Sequence, residues 1–298
     1  MTLNTAFENF ILSKRLQGCS KKTLKCYAQV MHPLVVFLGT DIDISALTRS
    51  RYNEYIAILV SKNNSRSTLA SYIRQIKVFF RWLESEYGLD LETDKLKVPR
   101  AYKKMVHIYT NQEIETIFNT ISAESEWITV RNQAMVALML DSGLRRQEVA
   151  SLQSADISWQ RCTLKVNGKG NKERVVPFGR LSKHYMMKYR QLCPYSEDYF
   201  FIGRRGEKMT GDSVNHFMYK LSSKLPFSFS SHRLRHNFAT NYCLNQYEKY
   251  GQVDLYRLMI LMGHEDIETT RLYLHHANQI IASITAISHL DKVLKLDE

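Results

Sequence analysis

Cysteine is scarce in this chain. The five at Cys19, Cys26, Cys162, Cys193 and Cys243 are an odd number and include no C-x-x-C pair. That argues against a disulfide framework and against a cysteine-bound zinc site, and it points to a reducing cytoplasm. Each thiol reads as a small buried hydrophobe. No apolar run reaches the roughly 18 residues that a membrane span needs. The start, MTLNTAFENFILSKR, has no basic stretch ahead of a long apolar one, so a secretory signal is not expected. Low-complexity segments and internal repeats are missing too. Hydrophobic residues at 44% and charged residues at 23% exclude wholesale disorder.

What is present is length and positive charge. A chain of 298 residues suggests two domains, with enough chain to bury a core without staples. Lys plus Arg number 41 against 29 acidic residues, a net +12. Residues 1–100 hold 15 basic and 9 acidic side chains, so each part of the chain carries half of the excess. A spread excess of this kind suits a protein that surrounds a long polyanion, with nucleic acid the leading candidate. On charge alone, an ordinary basic soluble protein fits as well.

Apolar residues at helical spacing predict helices over 3–16, from a Ser20 cap onward, over 48–61 and over 67–86. No strand pattern interrupts them, so the first domain, 1–97, reads as all-helical. A basic linker with Pro99 follows at 98–108. The second domain, 109–298, opens on a capping box of Thr110 and Glu113. A helix is expected from about 129 to 142, stopped by Gly143. Residues 162–178 place the β-prone runs TLKV and RVVPF on either side of N-G-K-G-N-K, which predicts a β-hairpin. Further helices are expected around 211–223, 232–245, 254–262, 267–277 and 278–295. The fold class is mainly α, with a small antiparallel sheet in the second domain.

Four segments carry candidate chemistry. In S-G-L-R-R-Q-E-V, Arg145 opens a helix just after Gly143, where its fork of donors can meet an anion. Pairing with Glu148 at i+3 is the ordinary alternative. In N-G-K-G-N-K-E-R, Lys169 sits at the tip of a glycine-flanked turn, where most lysines are merely solvated. No Walker pattern surrounds those glycines. In S-H-R-L-R-H, His232 and Arg235 share one helix face and can hold one phosphate. In G-H-E-D-I-E-T-T-R-L-Y, His264 follows a helix-ending Gly263, and Tyr273 rides the next helix, where a lone tyrosine is most often core.

Taken together, in order and at these spacings, the segments resemble the tyrosine recombinase (phage integrase) family, and its compact Xer-like members in particular. The shared pattern is G-L-R-x-x-E, G-K-G-x-K-x-R, H-x-L-R-H, L-G-H with Met262 in place of the leucine, and a tyrosine nine residues beyond that histidine. The resemblance covers nearly the whole chain. It implies a SAM-like helical core-binding domain ahead of the catalytic one, and six catalytic residues: Arg145, Lys169, His232, Arg235, His264 and Tyr273.

The resemblance also implies the chemistry. Tyr273 attacks a DNA phosphate and forms a 3′-phosphotyrosyl bond. Arg145 and Arg235 clamp the non-bridging oxygens. His232 and His264 add hydrogen bonds, and Lys169 protonates the leaving 5′-hydroxyl. No metal or other cofactor is implied. The expected partner is double-stranded DNA, gripped in a C-shaped clamp, with Lys21, Lys22, Lys25, Arg66, Arg74, Lys77 and Arg81 as candidate phosphate contacts. The apolar tail, with Ile280, Ile281, Ile284, Ile287, Leu290, Val293 and Leu294, suggests helix exchange within a homo-tetramer on two sites. A second recombinase or accessory factor remains compatible, and no membrane is involved.

Arg146, His236, His275 and His276 adjoin these residues without an assigned role. The two adjacent histidines, His275 and His276, read as helix surface. Between Arg235 and His264 the chain is several residues longer than in Xer-like relatives, and the surplus is expected in an interhelical loop. An inactive DNA-binding protein of the same fold and a type IB topoisomerase-like relaxing enzyme are the rival readings.

Overall fold

The computed structural model describes residues 1–100, 107–168 and 172–286. The chain divides into two compact units, Met1–Lys104 and Met105–Glu298. Four helices build the first: α1 (Leu3–Leu16), α2 (Lys21–Leu38), α3 (Arg49–Ser61) and α4 (Arg66–Tyr87). Each starts on a hydroxyl that accepts a backbone N–H three residues on, from Thr2, Ser20, Thr48 and Ser65. Such caps satisfy N–H groups that have no partner within the helix. The core they surround is aromatic. Phe10 meets Phe79 and Trp82 edge-on, and Tyr52 lies against Phe80. The segment after α4 belongs to this unit: Leu91 and Leu96 are buried, and Glu84 Oε1 accepts from the amides of Leu91 and Thr93.

The second unit begins with α5 (Asn111–Thr120), whose Thr110–Glu113 capping box is present, and α6 (Glu126–Ser142). Apolar residues bury most of the circumference of α6, as expected for a helix in the middle of a core. Next come the short α7 (Arg146–Ala150) and a three-stranded antiparallel sheet in the order β1 (Ile157–Ser158), β2 (Thr163–Asn167) and β3 (Glu173–Pro177). The predicted hairpin is β2–β3, with Val166 paired to Arg174 and Asn167 to Glu173. Helices α8 (Arg180–Leu192), α9 (Gly211–Ser222), α10 (Ser231–Tyr250), α11 (Leu255–Met262) and α12 (Ile267–Thr285) complete the described part. None of the described helices is long and apolar enough to cross a membrane.

Several expectations need correction. The sequence reading omitted α8, although Ser182, Met186 and Tyr189 recur on its buried face. It also split α12, which runs unbroken from Ile267 to Thr285. Most of the segment N-Q-Y-E-K-Y-G-Q-V between Arg235 and His264 is helical, and only residues 251–254 form the connection between α10 and α11. Helix α10 runs to Tyr250, where Gly251 in the left-handed region ends it. Of the cysteines only Cys243 is buried; Cys26 is exposed and the others are half-buried, all as free thiols.

Gly143 marks where the fold is least forgiving. Its φ of +60° suits glycine, and a Cβ there would lie 2.3 Å from the Phe238 ring. We expect Gly143→Ala to destabilise the second unit by about 2–4 kcal/mol, from left-handed strain plus overpacking, in equilibrium urea unfolding. A loss below about 1 kcal/mol would mean that Phe238 moves aside freely.

Candidate active site

Two helix C-termini meet at the site. Helix α6 ends at Gly143 and α11 at Gly263, both left-handed. Their final carbonyls have no partner within the helix and carry the negative end of the helix dipole. Arg235, on α10, satisfies both: Nη1 donates to Gly143 O and Nη2 to Met262 O. Only 5% of Arg235 is exposed. Burial, with Arg145 adding repulsion, lowers its pKa to about 10, so it remains charged at neutral pH.

Arg145 reaches the same place from the turn before α7. Its Nη2 donates to Gly263 O at 2.9 Å and its Nη1 to Glu148 Oε1 at 2.8 Å. The i+3 pair allowed by the spacing is therefore real, and it aims Arg145 at the turn that carries His264. Glu148 is 4% exposed and holds a second guanidinium: Arg174, from β3, donates to both of its oxygens at 2.8 Å. Arg174 Nε also donates to Leu261 O, which ties the hairpin to the end of α11. Burial pushes the Glu148 carboxyl up, but the two arginines outweigh it and the net shift is downward. Among the described residues, three guanidiniums against one carboxylate leave two positive charges uncompensated.

His264 Nε2 lies 3.1 Å from Arg235 Nη2, and its Nδ1 lies 2.9 Å from Thr270 Oγ1. Since the guanidinium can only donate, Nε2 accepts and the hydrogen of a neutral ring sits on Nδ1. Burial, then Arg235, Arg145 and Arg174, depress its pKa to about 4, which agrees with a neutral ring. The Tyr273 ring stacks on His264 at 6.0 Å between centroids and 12° between planes. Tyr273 is 4% exposed and packs with Ala239, Cys243, Leu258, Met262 and Ala277. Burial raises the phenol pKa, while Arg235 and Arg145 partly offset the rise, Arg235 also through a hydrogen bond.

The structure accordingly brings Arg145, Arg235, His264 and Tyr273 into one contact network. His232 stands at its rim, exposed to solvent but with its pKa lowered by partial burial and by Arg235. Lys169 lies outside the described residues. Its neighbours line the adjoining cleft: Gly168 and Lys172 face Arg145, Arg174, Gly263 and His264. Lys172 Nζ also pairs with Glu265 at 3.0 Å.

Sequence reasoning gave Glu148 only an ordinary i+3 pairing, and Arg174 and His236 no role. The first two were visible as the last letters of G-L-R-x-x-E and G-K-G-x-K-x-R. His236 sits against His232 and 5.0 Å from the Tyr273 ring. His276 is half-buried and close enough to His236 to depress its pKa, so it is not the surface residue expected; His275 is exposed.

In the first unit, Arg66, Arg74, Lys77 and Arg81 lie within about 80° of one another around α4. Lys21, Lys22, Lys25, Arg66 and Arg74 are exposed. The other two are engaged within the unit. Lys77 donates to Asp94 O and Leu96 O, and Arg81 pairs with Asp94 at 2.7 Å.

Residues 108–279 match the family model described as phage integrase family. The chain belongs to that family, the tyrosine recombinases. Residues 7–88 match the family's N-terminal SAM-like domain. A tyrosine recombinase XerC of Pediococcus pentosaceus is 27% identical over 289 residues, 92% of this chain and 93% of that protein. The XerC of Rhizobium meliloti is 30% identical over 270 residues, 85% and 83% of the two chains. Among solved structures, the Tn1549 transposon integrase in complex with transposon right end DNA has a TM-score of 0.73 at 17% identity. That match covers 96% of this chain and 100% of the other. At that identity it establishes the shared fold.

Proposed function

We propose that this chain is a site-specific DNA recombinase that cuts and rejoins strands through a 3′-phosphotyrosyl intermediate on Tyr273. The observation that carries the reading is the convergence of Arg145, Arg235 and His264 on one buried tyrosine, with two positive charges left over. A scissile phosphate can supply the missing negative charge. Tyr273 Oη forms the new bond to phosphorus as the bond to O5′ breaks. Charge building on the non-bridging oxygens meets guanidiniums already fixed by helix carbonyls, so little reorganisation is needed. The phenolic proton leaves to solvent, His232 donates a hydrogen bond to a non-bridging oxygen, and Lys169 protonates the departing 5′-oxygen. The phosphodiester energy is kept in the tyrosyl ester. Rejoining by a partner strand's 5′-hydroxyl therefore needs no cofactor.

DNA contacts on the first unit fall to Lys21, Lys22, Lys25, Arg66 and Arg74. Lys77 and Arg81 join them if DNA displaces their internal partners. The working assembly is a homo-tetramer on two sites, serving a mobile element or resolving replicon dimers. Its link is the apolar tail of each protomer docked on the next. Ile280 and Ile281 lie on α12, whereas Ile287, Leu290, Val293 and Leu294 fall outside the described residues, and their helical spacing in the sequence supports this part.

The test is covalent trapping. Wild-type protein is incubated with nicked DNA fragments taken from the flanks of its own gene, denatured, and resolved on a gel. The expected result is a protein–DNA adduct whose sequencing yields the target site. Specific binding without any adduct across many sites would overturn the catalytic reading.

A further inference from the structure

His236 has no place in the scheme above, yet the structure puts it between two groups that do. It follows His232 by one turn of α10. The two rings stand perpendicular at 4.3 Å between centroids, with Nε2 to Nε2 at 2.8 Å. On its other side it meets the Tyr273 ring at 5.0 Å and 57°. Its Nδ1 is buried and has no hydrogen-bond partner.

Only one hydrogen fits between two nitrogens at 2.8 Å, so one ring donates and the other accepts. Were His236 the acceptor, its neutral form would carry its hydrogen on Nδ1, as a buried N–H facing no acceptor. Were it the donor, Nδ1 would be a bare lone pair. Orphaned buried N–H groups are the rarer and costlier case. His236 is therefore the donor through Nε2. His232 accepts at Nε2 and keeps its own hydrogen on Nδ1, at the exposed rim.

We propose that His236 is a positioning residue for strand cleavage: its Nε2–H fixes the Nδ1–H tautomer of His232, while its ring packs against Tyr273. The inference rests on the reading of His232 and Tyr273 as active-site residues. It explains why the α10 segment spends two histidines where one would touch substrate. With its Nε2 occupied, His232 presents one defined donor to the phosphate side, and its orientation is set before DNA arrives.

The charged and titratable groups around His236 act in the same direction. His232, Arg235 and Arg233 of α10 and His276 of α12 all oppose a positive charge on it, and with burial they lower its pKa to about 4. Tyr273 of α12 is neutral beside it. At neutral pH His236 is thus a neutral donor.

The test uses the full chain and three variants. His236→Gln keeps an N–H near the place of Nε2, His236→Phe keeps the ring against Tyr273, and His236→Ala keeps neither. Two readouts are taken: long-range ¹⁵N–¹H spectra of the histidine rings in free protein, and single-turnover adduct formation against pH on the trapped site. In wild type, His232 is expected as the Nδ1–H tautomer. His236→Phe should mix the tautomers and slow adduct formation at least about tenfold with DNA affinity unchanged. It should also move the titration profile of the His232 ring up by about one pH unit in the spectra, because the freed Nε2 takes a proton more readily. His236→Gln should restore most of the rate, and His236→Ala should be worst.

A His236→Phe protein with wild-type rate, profile and tautomer overturns the proposal, as does a His236→Gln protein no better than His236→Ala. If wild type itself forms no adduct, the catalytic reading fails instead. The ring spectra still report on the His232–His236 bond in that event, so the two failures are distinct.

Discussion

Tyr273→Phe is expected to bind its DNA site with unchanged affinity and to form no covalent adduct. The substitution removes one oxygen and keeps the ring that stacks on His264 and touches His236. The packing with Ala239, Cys243, Leu258, Met262 and Ala277 survives, so the fold should change by no more than about 1 kcal/mol. Chemistry has no such tolerance. Phosphodiesters resist attack by water so strongly that cleavage without the phenol should fall by at least about 10⁴-fold, below detection in a trapping gel. No other described hydroxyl shares the position: Thr270 Oγ1 is held by His264 Nδ1. The measurement is paired, with a mobility shift for binding and a denaturing gel for the adduct. An adduct formed by the phenylalanine protein would move the nucleophile elsewhere and undo the role assigned to Tyr273.

Glu148→Ala is expected to cost the second unit about 3–5 kcal/mol. Removing the carboxylate leaves Arg174, 7% exposed, as a buried charge whose only remaining hydrogen bond among the described residues is Nε to Leu261 O. Arg145 is more exposed, at 34%, and suffers less in stability, but it loses the bond that aims it at Gly263. The surviving folded fraction should therefore cleave at least tenfold more slowly, as roughly expected when a transition-state donor is left unanchored. Glu148→Gln should fall between, since it keeps an acceptor and loses the charge. Apolar replacement of both partners, Glu148→Leu with Arg174→Met, should recover part of the stability and none of the activity. That split separates an ion pair kept for folding from one kept to hold Arg145. Equilibrium urea unfolding reads the first quantity and single-turnover trapping the second. A loss below about 1 kcal/mol for Glu148→Ala would show that water reaches Arg174 when the carboxylate is gone.

Much of this protein was legible in its sequence, for local reasons. Helix starts at Ser20 and Thr110 follow from hydroxyls that can accept the third backbone N–H onward. Helix ends at Gly143 and Gly263 follow from glycine's access to the left-handed region. The hairpin follows from two β-prone runs around a turn. Where the reading failed, the missing information was non-local. Helix α8 reads as polar and charged, and it is helical because Met186 and Tyr189 pack on the core that α6 also lines. Nothing in N-Q-Y-E-K-Y distinguishes a loop from one more turn and a half of α10.

The site divides along the same line. Four motifs at fixed spacing point to the residues proposed here, because a phosphate-transferring tyrosine needs cations, proton carriers and a nucleophile, and few sequences hold all of them in order. What they do to one another is a matter of tertiary structure. Arg235 is placed by two helix ends that lie 92 and 27 residues away in sequence, and Arg174 reaches Glu148 across 26 residues. The burial of Tyr273 between two imidazoles arises only when α10, α11 and α12 pack together. Residue type and spacing determined which chemistry this chain can perform. Packing decided which nitrogen carries each hydrogen and which charges go unpaired, because those depend on distances that no stretch of sequence records.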